Sequence, residues 1–266
     1  GKGFEKCGCN WQLVPRNLIE TQLNKLENPI VFLSAPDYAT MSKSLCLKLK
    51  KIPHFVWGSP DPDTFYSIYK KFNYEANLYL DDNIAEEVAK SDPDFIMMPC
   101  PESAKSFYSN FSKLGLNIES IPLACDTDRY FCSDLKKNYS TDNFFFCGGY
   151  WPKKAIQFDL YLKPYENYLD VYGYSKWPYS GYKGLLGENQ EKEKYQQSIL
   201  SPAISEPHAQ YTGDIVERVF KILGSGGCAI TDVNPYYKEL FNSSELPVPA
   251  SVDEYHEMIH ELCNNK

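Results

Sequence analysis

No run of this 266-residue chain approaches the roughly 20 consecutive apolar residues of a membrane span, and no secretory signal is visible at its start. There is no excess of positive charge either. Lys and Arg number 27 against 35 Asp and Glu, a net charge of −8, which argues against general nucleic-acid binding and leaves room only for a local basic site. None of the nine cysteines, at 7, 9, 46, 100, 125, 132, 147, 228 and 263, forms a C-x-x-C pair. Cys7-Gly8-Cys9 lacks partners at metal-ligand spacing, so reduced, mostly buried thiols in a cytoplasmic protein are expected and a zinc site is not. No G-x-G-x-x-G follows a predicted strand, which disfavours a nucleotide-sugar epimerase, and no internal repeat is present. The first residue is Gly and not Met, and the chain is accordingly expected to be one domain of a longer polypeptide.

What is present is an alternation. With 43% hydrophobic residues the chain can bury the core of one large or two modest domains. Strands are predicted at 29–34, 54–57, 76–80, 95–98 and 118–123, separated by helices at 40–51, 64–72, 83–90 and 102–114. A polar stretch at 126–141 reads as a linker. Strands resume at 143–147, 169–172, 198–205 and 227–231, with helices around 154–162, 188–196, 214–223, 235–241 and 252–262. Continuous apolar strands between amphipathic helices imply parallel sheets covered on both faces. The expected architecture is α/β, with two Rossmann-like domains facing across a cleft: residues 1–128, a linker at 129–141, and 142–266. The 21 tyrosines suit an aromatic-lined carbohydrate cleft or a tyrosine-rich core equally well.

The most informative segment is Tyr211 to Asp232. Apolar residues at 215, 216, 219, 220, 222 and 223 follow a helical period of about 3.6. Thr212 or Asp214 is the expected N-cap, and Gly213 would let an anion approach the unpaired N–H groups of the first turn. Arg218, one turn in, adds a full charge to what reads as a phosphate seat; the competing reading pairs it with Asp214 at i, i+4. Gly224-Ser225-Gly226-Gly227 follows a helix and precedes a strand, the reverse of a phosphate loop, and is read as a C-cap and tight turn.

Taken in order, these landmarks resemble glycosyltransferases of the GT-B fold, in particular the CgeB-like branch and the C-terminal domain of glycosyltransferase families 1 and 4. Ile121-Pro122-Leu123-Ala124-Cys125-Asp126 through Phe131 is similar to the segment that closes their first domain. Phe144-Phe145-Phe146-Cys147-Gly148-Gly149 with Pro152-Lys153-Lys154 resembles the opening of their second. Leu169-Asp170-Val171-Tyr172-Gly173, Tyr182-Lys183-Gly184 and Arg218-Val219-Phe220-Lys221 resemble later landmarks. Two positions depart from the pattern: the family's frequent Gly-Arg reads Gly148-Gly149, and its ribose-binding glutamate aligns with Lys221.

The resemblance implies transfer of a hexose or deoxyhexose from a nucleoside diphosphate sugar, uridine-based, to a hydroxyl of a glycan or glycoconjugate, with no metal or other cofactor. It implies that Gly148, Gly149, Lys154, Thr212, Gly213, Asp214 and Arg218 hold the diphosphate, with Arg218 also stabilising the leaving group. Glu206, His208 and Glu217 are expected at the ribose or donor sugar, and Asp37 or Asp61 as the base that takes the acceptor's proton. Plainer roles compete: a solvated helix start for Lys154, a solvated loop for His208, and turn chemistry for both aspartates. Two further readings stay open. One is a non-catalytic carbohydrate- or partner-binding module on a degenerate GT-B fold. The other is a metal-dependent transferase using Asp61-Pro62-Asp63 or Asp126-Thr127-Asp128 as a D-x-D.

Overall fold

A computed structural model describes residues 5–60, 83–132, 143–187 and 190–264. The predicted helix at 64–72, the strand at 76–80, and Asp61 and Asp63 lie outside the described residues. The chain divides into two compact units that meet in sequence between Ile121 and Pro122.

Unit 1 holds a parallel sheet of β1 (Val31–Ser34), β2 (His54–Trp57), β3 (Phe95–Met98) and β4 (Ile118–Ser120), hydrogen-bonded in that order. Helices α1 (Ile19–Leu23), α2 (Lys43–Leu49), α3 (Ile84–Ala89) and α4 (Ser109–Lys113) accompany it. The period of two decides the faces. Leu33, Val56, Ile96 and Ile118 are in register and buried, whereas Phe32, Phe55 and Phe95 stack on the opposite face at 4.7 and 5.1 Å. The helix predicted at 102–114 splits into a 3₁₀ segment, Glu102–Tyr108, followed by α4. Its sequence supplies the reason, since four serines and an asparagine in twelve residues compete for backbone hydrogen bonds.

In unit 2, β5 (Phe144–Cys147) pairs in parallel with β6 (Leu169–Tyr172), and β7 (Ser201–Ala203) with β8 (Ala229–Thr231). Phe145 N–H donates to Leu200 O at 3.0 Å and Ile199 N–H to Asn143 O at 3.3 Å, which joins the two pairs in the order β6-β5-β7-β8. Helices here are α5 (Thr127–Tyr130), α6 (Ala155–Tyr161), α7 (Gln190–Gln197), α8 (Ala209–Thr212), α9 (Glu217–Gly224) and α10 (Val252–Asn264). Phe146, Phe158, Tyr161, Trp177, Tyr255 and Ile259 form one core cluster, bringing α6 and α10 together. Phe145, Tyr195, Val219 and Ile222 form a second, on α7 and α9. Neighbouring phenylalanines on β5 thus point into different cores, so helices cover both faces of the sheet. Strand order reverses between β5 and β7, and open α/β sheets bind ligands beyond the carboxyl ends of strands at such a reversal.

Two expectations are corrected at this level. Only Cys46 and Cys100 of the nine cysteines are buried. Cys147 is the last residue of β5 and Cys228 precedes β8, so both sit at strand ends and are only half-buried. The predicted linker contains α5, whose start is capped by Asp126 accepting from Asp128 N–H at 3.1 Å. No helix among the described residues is long and apolar enough to cross a membrane.

Candidate functional site

The helix carrying Arg218 begins at Glu217, with Val216 as an extended N-cap that offers no side-chain hydrogen bond. Neither Thr212 nor Asp214 caps it, contrary to expectation. Ile215 and Val216 are β-branched and favour extended backbone, which delays the start. Thr212 instead ends α8, and Gly213 closes that helix in the left-handed region at φ 79°. Thr212 N–H donates to His208 O at 3.0 Å and Gly213 N–H to Ala209 O at 2.8 Å. Those two backbone donors are therefore engaged inside the protein. The Gly224–Gly227 run closes α9, with Gly226 N–H donating to Leu223 O at 2.9 Å and Gly227 N–H to Ile222 O at 2.9 Å.

Arg218 reaches back to the strand reversal. Its Nε donates to Cys147 O at 2.9 Å, at the end of β5, and its Nη1 to Ile204 O at 3.3 Å, just past β7. The guanidinium carbon lies 4.3 Å from the centroid of the Phe146 ring. A Cβ on Gly148 would stand 2.7 Å from Arg218 Nη2, so this glycine makes room for the arginine. No ion pair joins Arg218 to Asp214. Asp214 Oδ2 lies 2.9 Å from His208 Nε2 and accepts from Thr212 Oγ1 at 3.3 Å.

Lys154 joins Arg218 on the same atom. It precedes α6, is 6% exposed, and its Nζ donates to Ile204 O at 2.8 Å. Glu206 Oε1 stands 3.6 Å away. Burial pushes the Lys154 ammonium down to about 8; Glu206 opposes the shift and Arg218 adds to it. Lys154 is thus a buried group at the site and not a solvated helix start. Two cationic side chains, from the starts of helices on opposite faces of the sheet, share one carbonyl oxygen at the carboxyl end of β7.

The other end of that peptide group is held by an acid that sequence reasoning missed. Asp232, 3% exposed and one residue past β8, accepts Ser205 N–H at 2.9 Å and Ser205 Oγ–H at 3.0 Å. Burial raises its carboxyl to about 6, against the opposing pull of the Ser205 bonds and the Lys154 charge. The Ile204–Ser205 peptide therefore has two cations at its oxygen and a carboxylate at its N–H. Position was the available signal, since Asp232 follows the short apolar strand ending at Thr231.

The remaining candidates divide. Gly148, Lys154, Glu206 and Arg218 come together around Ile204. His208, Thr212 and Asp214 form a second hydrogen-bonded group on the approach to α9. Glu217 joins neither: its carboxylate pairs with Lys221 at 3.3 Å, and that ammonium lies 5.6 Å from the Tyr130 ring centroid. Gly149 is covered by Tyr174, whose ring atoms would stand 2.6 Å from an added Cβ. Tyr174 packs edge-on against Trp151 at 5.7 Å, and these aromatics, 63% and 52% exposed beyond β6 and β5, were not foreseen as site residues. In unit 1, Asp37 caps a 3₁₀ turn. One oxygen accepts from Ser34 N–H at 2.9 Å within the turn, and the other pairs with Arg16, so both are engaged. Among the described residues no three His, Cys, Asp or Glu side chains gather as a metal-binding group.

No protein-family model matches the chain, and no curated protein matches it by sequence. Solved structures do match. A trehalose-6-phosphate synthase studied for glycosyl transfer with retention superposes with a TM-score of 0.58 at 9% identity, over 94% of this chain and 69% of that one. A UDP-forming α,α-trehalose-phosphate synthase from Burkholderia vietnamiensis gives 0.58 at 8% identity, covering 93% and 69%. Its counterpart from Burkholderia xenovorans gives 0.53 at 8% identity, covering 93% and 68%. The fold is GT-B. Identity this low establishes the GT-B fold alone. Within that fold the cluster around Ile204 occupies the strand-order reversal of unit 2, where the parallel sheet presents its ligand edge.

Proposed function

We propose that the chain is a glycosyltransferase that takes a nucleoside diphosphate sugar, uridine-based, and passes the hexosyl or deoxyhexosyl group to a hydroxyl of a glycan or glycoconjugate, without a metal ion. The observation that carries the reading is the convergence of Lys154 and Arg218 on Ile204 O. Both bring charge to the carboxyl end of the sheet and satisfy only part of it on main-chain oxygen. A diphosphate arriving there would exchange neutral carbonyl partners for anionic ones. Charge-assisted bonds of that kind are roughly twice as strong as neutral ones. As the sugar leaves, the diphosphate gains charge. One preorganised donor to such an oxyanion contributes about 3–4 kcal/mol, by analogy with oxyanion holes. Glu206, 3.6 Å from Lys154, would accept from a donor hydroxyl, and the GT-B neighbours that are UDP-forming suit the same donor class. Asp37 would have to release Arg16 or Ser34 to act as base, so the proposal rests on the donor side.

A second reading, the binding module without chemistry, draws on Tyr174 covering Gly149 and on the Glu217–Lys221 pair. One experiment separates them. In a transfer assay with UDP-, GDP- and dTDP-sugars containing EDTA, turnover is expected with a UDP-sugar. Turnover lost in EDTA and restored by Mn²⁺ would replace the metal-free reading with a D-x-D mechanism. No turnover, and no UDP binding at about millimolar nucleotide (about −4 kcal/mol), would leave the binding module.

A further inference from the structure

Asp232 is a buried acid that the chemistry proposed above leaves unused. Its place in the sheet gives it a task. The parallel ladder of β7 and β8 pairs Ser201 with Ala229, Pro202 with Ile230 and Ala203 with Thr231. Ile204 and Asp232 come next on each strand, where the ladder has ended and main-chain groups need other partners. The Asp232 carboxylate supplies one, accepting Ser205 N–H at 2.9 Å and Ser205 Oγ–H at 3.0 Å. A trans peptide is planar, so its N–H and C=O point in opposite directions. Fixing Ser205 N–H on Asp232 therefore aims Ile204 O to the other side, where Lys154 Nζ donates at 2.8 Å and Arg218 Nη1 at 3.3 Å. Turning this one peptide would break the bond to Asp232 and both bonds to the cations together.

The same segment reaches the start of α9. The Ser205 side chain also meets the Tyr237 hydroxyl, and that hydroxyl accepts Val216 N–H at 3.3 Å. Val216 is the N-cap of the helix that carries Arg218. Asn234 donates to Asp214 O at 2.9 Å on the approach to that helix. An apolar residue at 232 would leave Ser205 N–H buried without a partner, which is costly. The titratable groups facing Asp232 are Lys154, Tyr161, Tyr237 and Tyr255. We propose that Asp232 is a positioning residue of the donor site: it sets the Ile204–Ser205 peptide, and through that peptide the head groups of Lys154 and Arg218. That these head groups serve a diphosphate rests on the reading given above; their alignment by Asp232 does not.

Calorimetric titration with UDP across a pH series, alongside urea unfolding, tests it. Asp232→Ala is expected to bind UDP about fivefold more weakly, the equivalent of one hydrogen bond. Asp232→Asn is expected to stay within about twofold of the parent, because its amide can accept from Ser205 N–H and donate to the Ser205 hydroxyl. The two should part in pH dependence. The Asp232 charge favours the Lys154 ammonium, as Glu206 does, against burial and Arg218. Removing that charge should move the decline in affinity, expected near 8 in the parent, to lower pH in Asp232→Asn. A purely structural carboxylate would lower the unfolding midpoint and leave the affinity of folded protein and its pH profile unmoved. That result would overturn the proposal, as would an Asn variant no better than Ala. Should Asp232→Ala not fold, Ser205→Ala takes its place, with one of the two bonds lost and about twofold weaker binding expected. Unchanged affinity there, with an unmoved profile in Asp232→Asn, overturns it. If UDP fails to bind the parent, the diphosphate reading falls, and side-chain nitrogen NMR decides the positioning without ligand. The Lys154 ammonium should titrate lower in Asp232→Asn, and the Arg218 Nε signal should shift in Ser205→Ala; signals coinciding with the parent's overturn it.

Discussion

Arg218→Ala is expected to weaken UDP binding by about a hundredfold and to destabilise unit 2 by roughly 2–4 kcal/mol. The two losses have one origin. Arg218 ties the ends of β5 and β7 through Cys147 O and Ile204 O and lies over Phe146, so its removal costs two charge-assisted hydrogen bonds and a ring contact. Each such bond contributes about 1.5–3 kcal/mol when buried, and partial exposure of the side chain argues for the lower end. Arg218→Lys separates the roles. Lysine keeps the charge but cannot fork between two carbonyls, so it should recover part of the UDP affinity and little of the stability. Urea unfolding together with titration of each variant checks this. Unchanged UDP affinity in Arg218→Ala at saturating folded protein would remove the arginine from the site.

Lys154→Met should dissociate stability from binding in the other direction. Burial holds the Lys154 ammonium near 8, and a displacement from an ordinary 10.5 corresponds to about 3 kcal/mol against the charged folded form at neutral pH. The sign is that of a depressed cation. Below the folded value the cost is fully present, and stability contributed by this group rises as pH climbs from about 8 to 10.5. Methionine removes that cost and gives up one hydrogen bond to Ile204 O, which Arg218 still serves. The variant should melt no lower than the parent, yet lose tenfold or more in UDP affinity (about 1.4 kcal/mol or more). The parent's affinity should also decline as pH rises through about 8, where the free protein's Lys154 loses its proton, while Lys154→Met stays flat. A flat profile in the parent would show that this ammonium does not meet the diphosphate.

Much of the architecture was legible because it rests on periodicity. The strands at 54–57, 95–98 and 169–172 match their predicted ranges, since each is a short apolar run bounded by turn residues. The start of α9 was missed by three residues, because Ile215 and Val216 satisfy a helical apolar pattern while their branched side chains prefer extended backbone. That slip moved the candidate phosphate seat from a backbone turn to side chains. Lys154 and Arg218 were identified from order along the chain, but their meeting on Ile204 depends on strand order, which no local pattern encodes. Position after a strand was too weak a signal to single out Asp232: a carboxylate there is common, and its burial against Ser205 is a tertiary fact. Tyr174 and Trp151 show the converse. Abundant aromatics suggested both core and surface roles, and the structure uses both, with Tyr161, Tyr195, Tyr237 and Tyr255 inside.

A crystal structure of the chain with UDP tests the account most directly. It predicts diphosphate oxygens at charge-assisted hydrogen-bond distance, about 2.7–2.9 Å, from Lys154 Nζ and the Arg218 guanidinium, beyond the ends of β5 and β7. Nucleotide bound elsewhere, with both side chains still turned onto Ile204 O, would contradict it.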